Sequence, residues 1–146
     1  MAIFIIAIND AMAYLTGYDR QQATLIPQSI DELIAEDSLV RISDLFVDSL
    51  DLNKLGFKEG VYPDNGRPAY NPADLFKLYI YGYLNRVRTS RLLERECQRN
   101  IEVMWLLRGL QPCFRTIAGF RSENPKAFRN TFSHFVKQLY TSGLIG

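Results

Sequence analysis

The chain has 146 residues, nearly half of them apolar, and a formal charge of only +1. This is the length of one domain, with enough apolar material to bury about two-thirds of its unfolded surface. Two cysteines without C-x-x-C spacing, Cys97 and Cys113, exclude a zinc site and a disulfide framework, so a reducing cytoplasm is the expected compartment.

The near-zero total hides a split. Residues 1–75 carry five basic against twelve acidic side chains, a charge of −7. Residues 76–146 carry twelve basic side chains, nine of them Arg, against Glu94, Glu96, Glu102 and Glu123, a charge of +8. Such asymmetry points to a polyanionic partner, and the preference for Arg suits planar, bidentate contact with phosphate. The alternatives are a basic face that is merely solvated, or halves that attract each other.

In chain order, the apolar run Ala2–Ile8 is too short for a membrane span and lacks the basic leader of a signal peptide. Met12 offers a second start, so residues 1–11 read as an upstream extension of the frame and 12–146 as the domain. After Pro27 helices follow, with Ser29 or Asp37 and Ser38 as N-caps. Leu39, Ile42, Leu45, Phe46 and Leu50 predict an amphipathic helix over 38–50 with Asp44 and Asp48 on its solvated face. Gly56, Gly60, Pro63, Asn65-Gly66 and Pro68 make 56–71 the one long loop.

Asn71-Pro72 opens the next helix with a capping side chain followed by proline at the first helical position. Residues 75–84 are apolar or aromatic nearly all round, which places this helix at the centre of a bundle, with Gly82 letting another helix pass close. Ser90 is read as the cap of a helix from Arg91 to Arg99, buried through Leu92, Leu93 and Cys97. A helix over 100–108, with Ile101, Met104, Trp105 and Leu107 inward, ends at Gly109. Asn124-Pro125 repeats the cap-plus-proline signal for the longest helix, which stops at Gly143. His134, the only histidine, reads as structural or solvated. The expected fold is all-α, a compact multi-helix bundle.

Two constellations carry chemistry. Arg88, Arg91, Arg95 and Arg99, preceded by Arg86, recur at three- and four-residue steps and predict a basic stripe about 16 Å long. Local pairing with Glu94 and Glu96 would neutralise part of it. The run 100–121 has the outline of a helix-turn-helix, with Gly109-Leu110-Gln111-Pro112 as the turn. In that geometry the start of the second helix meets base edges in the major groove. Ile117 and Phe120 are expected inward, and Arg115, Thr116, Ala118, Gly119 and Arg121 outward.

Gly66-Arg67-Pro68-Ala69-Tyr70-Asn71-Pro72, Leu75 to Tyr83, Arg91-Leu92-Leu93-Glu94-Arg95-Glu96-Cys97 and Arg115-Thr116-Ile117-Ala118-Gly119-Phe120-Arg121 carry a resemblance. In order and spacing they resemble the N-terminal domain of bacterial insertion-sequence transposases of the DDE type, over residues 13–145. The resemblance implies a helical domain that engages the terminal inverted repeats of a mobile element and precedes a catalytic domain bearing three metal-binding carboxylates. It departs at Cys113 and Gly119, where the family usually carries acidic or polar residues, and Cys113 lacks the carboxylate that would cap the following helix.

The expectation for function follows. The chain is a non-catalytic DNA-binding domain or truncated copy, contacting double-stranded DNA through Arg86, Arg88, Arg91, Arg95, Arg99, Arg115, Thr116, Gly119 and Arg121. No cofactor is expected, since the divalent metal belongs to the catalytic domain, and neither a membrane nor a small-molecule substrate is a partner. The alternatives are an assembly module pairing with itself or with intact transposase, and the product of a decayed copy.

Overall fold

A computed structural model describes residues 14–23, 25–58 and 69–144. The expected extension at 1–11, and Gly60, Pro63, Asn65-Gly66 and Pro68 of the expected loop, lie outside the described residues. The chain divides into two compact units, 1–33 and 34–146. In the first, the only regular element among the described residues is a 3-10 helix at Ile30–Leu33, and Tyr14, Leu15, Tyr18, Leu25 and Ile26 are exposed.

The second unit holds α1 (Leu39–Asp48), α2 (Pro72–Asn85), α3 (Ser90–Arg99), α4 (Ile101–Leu106), α5 (Phe114–Glu123) and α6 (Pro125–Ser142). Among the described residues there is no strand, and the fold is all-α as expected.

α2 is the central element. Asn71 Oδ1 accepts the Ala73 amide at 2.9 Å and Pro72 occupies the first turn, so the helix starts where its sequence signal lies. Leu75, Phe76, Leu78 and Ile80 are fully buried. Around Phe76 the aromatic side chains interlock: Phe57 and Phe128 each meet it edge-on with centroids 5.6 Å apart, and Phe57 stacks on Phe120 at the same separation. Offset and edge-on arrangements of this kind place each ring's positive edge against a negative face.

α1 is turned partway from the expected register: Phe46 and Leu50 pack against the core as expected, but the fully buried face lies beside them. Its buried positions are Val40, Ser43 and Val47, whereas Leu45 is 69% exposed. Ser43 tolerates burial because its hydroxyl donates to Leu39 O at 2.9 Å, leaving no orphaned polar atom. The rotation carries Asp44 and Asp48 to α2, where each binds the Lys77 ammonium at 2.7 Å. These aspartates are therefore not merely a solvated face. Burial alone would lower the Lys77 pKa, but the hydrogen bonds that its ammonium donates to Asp44 and Asp48 raise it. A second cross-link joins the acidic and basic halves: Arg108 reaches buried Asp74 at 3.2 Å. Burial raises the Asp74 pKa, and Arg108 offsets part of that rise.

The turn after α2 corrects the role expected for Gly82. A Cβ there would lie 2.6 Å from Val87 O and 3.0 Å from Leu93 Cδ2. The chain's own return, fixed by Val87 N–H donating to Gly82 O at 2.8 Å, needs the glycine as much as α3 does. Thr89, not Ser90, caps α3, its Oγ1 accepting the Leu92 amide at 3.1 Å. α3 buries Leu93 and Cys97 one turn apart, while Leu92, expected inside, is 42% exposed. Ile101, also expected inside, is exposed at the start of α4. Asn100 joins the two helices: its Oδ1 accepts the Glu102 amide at 2.9 Å, and its Nδ2 donates to Tyr81 Oη at 2.6 Å.

α6 begins at Pro125, but Asn124 is not its side-chain cap. Asn124 is buried; its Oδ1 accepts the Lys58 amide at 3.0 Å and its Nδ2 donates to Phe120 O at 2.8 Å. The amide thus ties the segment after α1 to the end of α5. Phe128, Thr131, Phe135 and Leu139 form the buried stripe of α6.

Candidate functional site

The structure sorts the expected contact residues into two groups. The first lies along α3. Arg91, Arg95 and Arg99 are exposed at four-residue steps, a span of about 12 Å. Arg88, expected to lengthen this stripe, precedes the capping residue Thr89 and lies in the connection from α2. Arg115 joins the group from α5, because the guanidinium groups of Arg91 and Arg115 lie 3.9 and 5.8 Å from the Phe114 ring centroid. Two cations thereby share one aromatic ring at the α3–α5 junction. The expected neutralisation by local pairing reaches only part of the stripe: Glu96 binds Arg99 at 3.2 Å, whereas Glu94 does something else.

Cys113 occupies the N-cap position of α5 and makes no side-chain cap hydrogen bond. The carboxylate that would cap this end comes instead from α3, where Glu94 Oε2 accepts the Phe114 amide. Backbone amides at a helix start lack intrahelical partners, and the helix dipole favours negative charge there. Glu94 satisfies both. The Cys113 thiol is exposed and points to Thr116, with Sγ 3.4 Å from Oγ1; that hydroxyl lowers the thiol pKa. Cys97 is buried in α3, and burial pushes its thiol up to about 12.

One residue expected on the outer face of α5 is placed otherwise. Thr116 is buried, since the inward face consists of Thr116, Ile117 and Phe120. Gly119 is half-buried, with nothing within 4 Å of where its Cβ would be. Arg115, Ala118, Arg121 and Ser122 are exposed. α4, a connection over 107–113, and α5 follow one another along the run expected to form a helix-turn-helix. The start of α5 is nonetheless anchored on α3, through Glu94 and Arg91.

The second group lines a cleft of about 1170 Å³. Arg86 reaches it from the end of α2, Arg88 from the connection, Arg121 from α5 and Arg129 from α6. Tyr83, Phe128, Phe132 and Tyr140 supply aromatic wall, and the lining contains no carboxylate. Arg121 lies over Phe128 at 5.2 Å, and none of the four arginines forms an ion pair with a described residue. Arg129 was missed as a contact residue because it sits on a helix whose sequence reads as core; its spacing from Pro125, Phe132 and Ser133, cleft residues at four- and three-residue steps, is the signal that finds it.

Arg86 adopts left-handed backbone, φ 59° and ψ 31°, at the C-cap of α2. Arg108 is the other non-glycine residue of positive φ among those described, at 53°. Arg108 is compensated by its bond to Asp74, whereas Arg86 has no carboxylate partner among the described residues. No cluster of three or more His, Cys, Asp or Glu side chains suited to a metal ion occurs among the described residues, and no helix there is long and apolar enough to cross a membrane.

Compared with known proteins, residues 28–123 match a family model described as a transposase domain (DUF772). No curated protein and no solved structure matches the chain.

Proposed function

Because the chain belongs to the transposase domain family (DUF772), we propose that it is a DNA-binding domain of an insertion-sequence transposase that engages the element's terminal inverted repeats without itself cutting them. The observation that carries this reading is which basic side chains have no carboxylate partner among the described residues. Lys77, Arg99 and Arg108 are in ion pairs with carboxylates, but Arg86, Arg88, Arg91, Arg95, Arg115, Arg121 and Arg129 are exposed and in no ion pair with a described residue. Attraction between the two halves therefore accounts for only part of the charge sorting.

In this reading Arg91 and Arg95 track a phosphate backbone, with Arg99 shared between phosphate and Glu96. Arg115, at the start of α5, meets base edges. Phosphate contacts position a protein on duplex DNA, whereas base contacts specify sequence. Arg86, Arg88 and Arg121 add backbone contacts on the cleft side. Thr116, on the inward face, helps set the position of α5, and Gly119, with open space where its Cβ would lie, leaves room for close approach. The chain needs no cofactor for this role, which belongs to the cytoplasm and nucleoid, and an intact transposase or a second copy of the chain is the protein partner.

A gel-shift titration against the inverted repeat of the host element at two salt concentrations tests the proposal. Several phosphate contacts make affinity fall by orders of magnitude as salt rises. Arg95→Ala weakens binding to any duplex, and Arg115→Ala narrows the gap between correct and random sequence. No binding at low salt refutes the proposal, and equal effects of both substitutions on both DNAs refute the division of roles.

A further inference from the structure

The cleft between the α2–α3 connection, α5 and α6 has a composition that duplex binding does not explain. A basic surface for a duplex needs cations spread along phosphates, and α3 already offers them. Here four arginines surround aromatic side chains in a concavity of about 1170 Å³, a volume that holds small ligands or a few nucleotides and not a double helix. Tyr83 is 43% exposed and Tyr140 55%, and Tyr83 stands edge-on to Phe132 with centroids 5.1 Å apart.

Aromatic rings within a cationic groove are the means by which proteins hold unpaired nucleotides, because an unstacked base offers a free face to the ring. In an intact duplex those faces are already covered by neighbouring bases. All four cations are Arg, whose planar fork bonds phosphate oxygens bidentately and also stacks on rings, as Arg121 does on Phe128.

The backbone at Arg86 adds an independent observation. Left-handed conformation at the end of a helix is ordinarily given to glycine. The chain retains a long cation at this position, where its side chain reaches the cleft. Strain of this kind is kept where the side chain has a function.

We propose that this cleft holds unpaired nucleotides, with phosphates bound by Arg86, Arg88, Arg121 and Arg129 and a base stacked on Tyr83, so that the domain prefers DNA with a single-stranded end over a continuous duplex. The proposal rests on the DNA-binding reading above and names the form of DNA that this part of the surface takes.

The test measures fluorescence anisotropy of the full chain with three probes: a blunt duplex, the same duplex with a short oligothymidine tail, and the single strand. The tailed duplex binds about tenfold tighter than the blunt one, the amount that one stacked base contributes. Tyr83→Ala abolishes this difference, and Arg86→Gly reduces it while keeping the turn. Circular dichroism confirms that both variants fold, and quenching of a fluorescent base placed in the tail reports stacking directly. Equal affinity for tailed and blunt duplex overturns the proposal and leaves the duplex reading standing. A tail preference that survives Tyr83→Ala and Arg86→Gly also overturns it. Binding of the single strand alone sustains the cleft and refutes the duplex reading; no binding of any probe refutes both.

Discussion

Glu94 on α3 caps α5 by accepting the Phe114 amide, at a helix whose own N-cap residue, Cys113, makes no side-chain cap bond. The geometry couples two helices through one carboxylate, and it gives α3 a part in orienting the helix that carries Arg115. Glu94→Ala is expected to cost about 1–2 kcal/mol, the ordinary range for loss of a helix cap. Cys113→Asp restores a local cap and recovers most of that loss in the Glu94→Ala background. In the native background it gains little, since Glu94 already occupies the site and repels a second carboxylate. Thermal unfolding of the four proteins measures the coupling, and strictly additive effects would show that Glu94 does not cap α5.

The Lys77 clasp yields an asymmetric prediction. The Lys77 side chain is 3% exposed, whereas Asp44 and Asp48 are 25% and 56% exposed. Removing both aspartates strands a buried ammonium, and removing the lysine leaves carboxylates that water can reach. Asp44→Asn with Asp48→Asn therefore destabilises by about 3–5 kcal/mol, and Lys77→Met by clearly less. Urea denaturation of the two variants decides the order.

At the end of α2, neighbouring substitutions have opposite signs. Gly82→Ala places a Cβ 2.6 Å from backbone Val87 O, which cannot rotate aside, and costs about 1–3 kcal/mol. Arg86→Gly removes a left-handed non-glycine residue and raises stability by up to about 1 kcal/mol. A higher melting temperature together with weaker binding of tailed DNA is the expected pair of results for Arg86→Gly.

Alkaline pH weakens the core. Burial raises the Tyr79 hydroxyl, which donates to Ile117 O at 2.7 Å, from 10.0 to about 12, and raises Cys97 from 9.0 to about 12. Groups whose folded pKa is raised contribute stability that is complete below the unfolded pKa and is lost as pH rises toward the folded one. The melting temperature is thus expected to fall from pH 9 upward, and Tyr79→Phe makes the decline shallower between 10 and 12. An unchanged slope in Tyr79→Phe would refute the assignment.

What could be read from the sequence followed from local rules. Asn71-Pro72 and Pro125 open α2 and α6, and Gly109 and Gly143 carry positive φ where helices end. α2 is central because it is apolar nearly all round. These features depend on backbone sterics and on residues a turn apart, which a linear chain displays directly. The register of α1 is legible only in part, for the opposite reason. Its largest apolar residues suggest one face, but the ammonium of Lys77, 33 positions from Asp44 and 29 from Asp48, binds both carboxylates while Leu45 is turned out.

The candidate site divides in the same way. By itself the sequence determined that the protein is a helical member of a transposase-related family and that its cations gather in the second half, since charge, caps and motif order are local properties. Only the tertiary structure decided which cations lie together. Arg91 and Arg115 meet over Phe114, and Arg129 joins Arg86, Arg88 and Arg121 around one cleft. Each grouping depends on how α3, α5 and α6 pack, and that packing is set by buried side chains such as Phe120 and Phe128 and by Glu94 across the α3–α5 junction. Helix periodicity orders residues along one helix; contact between helices is fixed by which faces must leave water together.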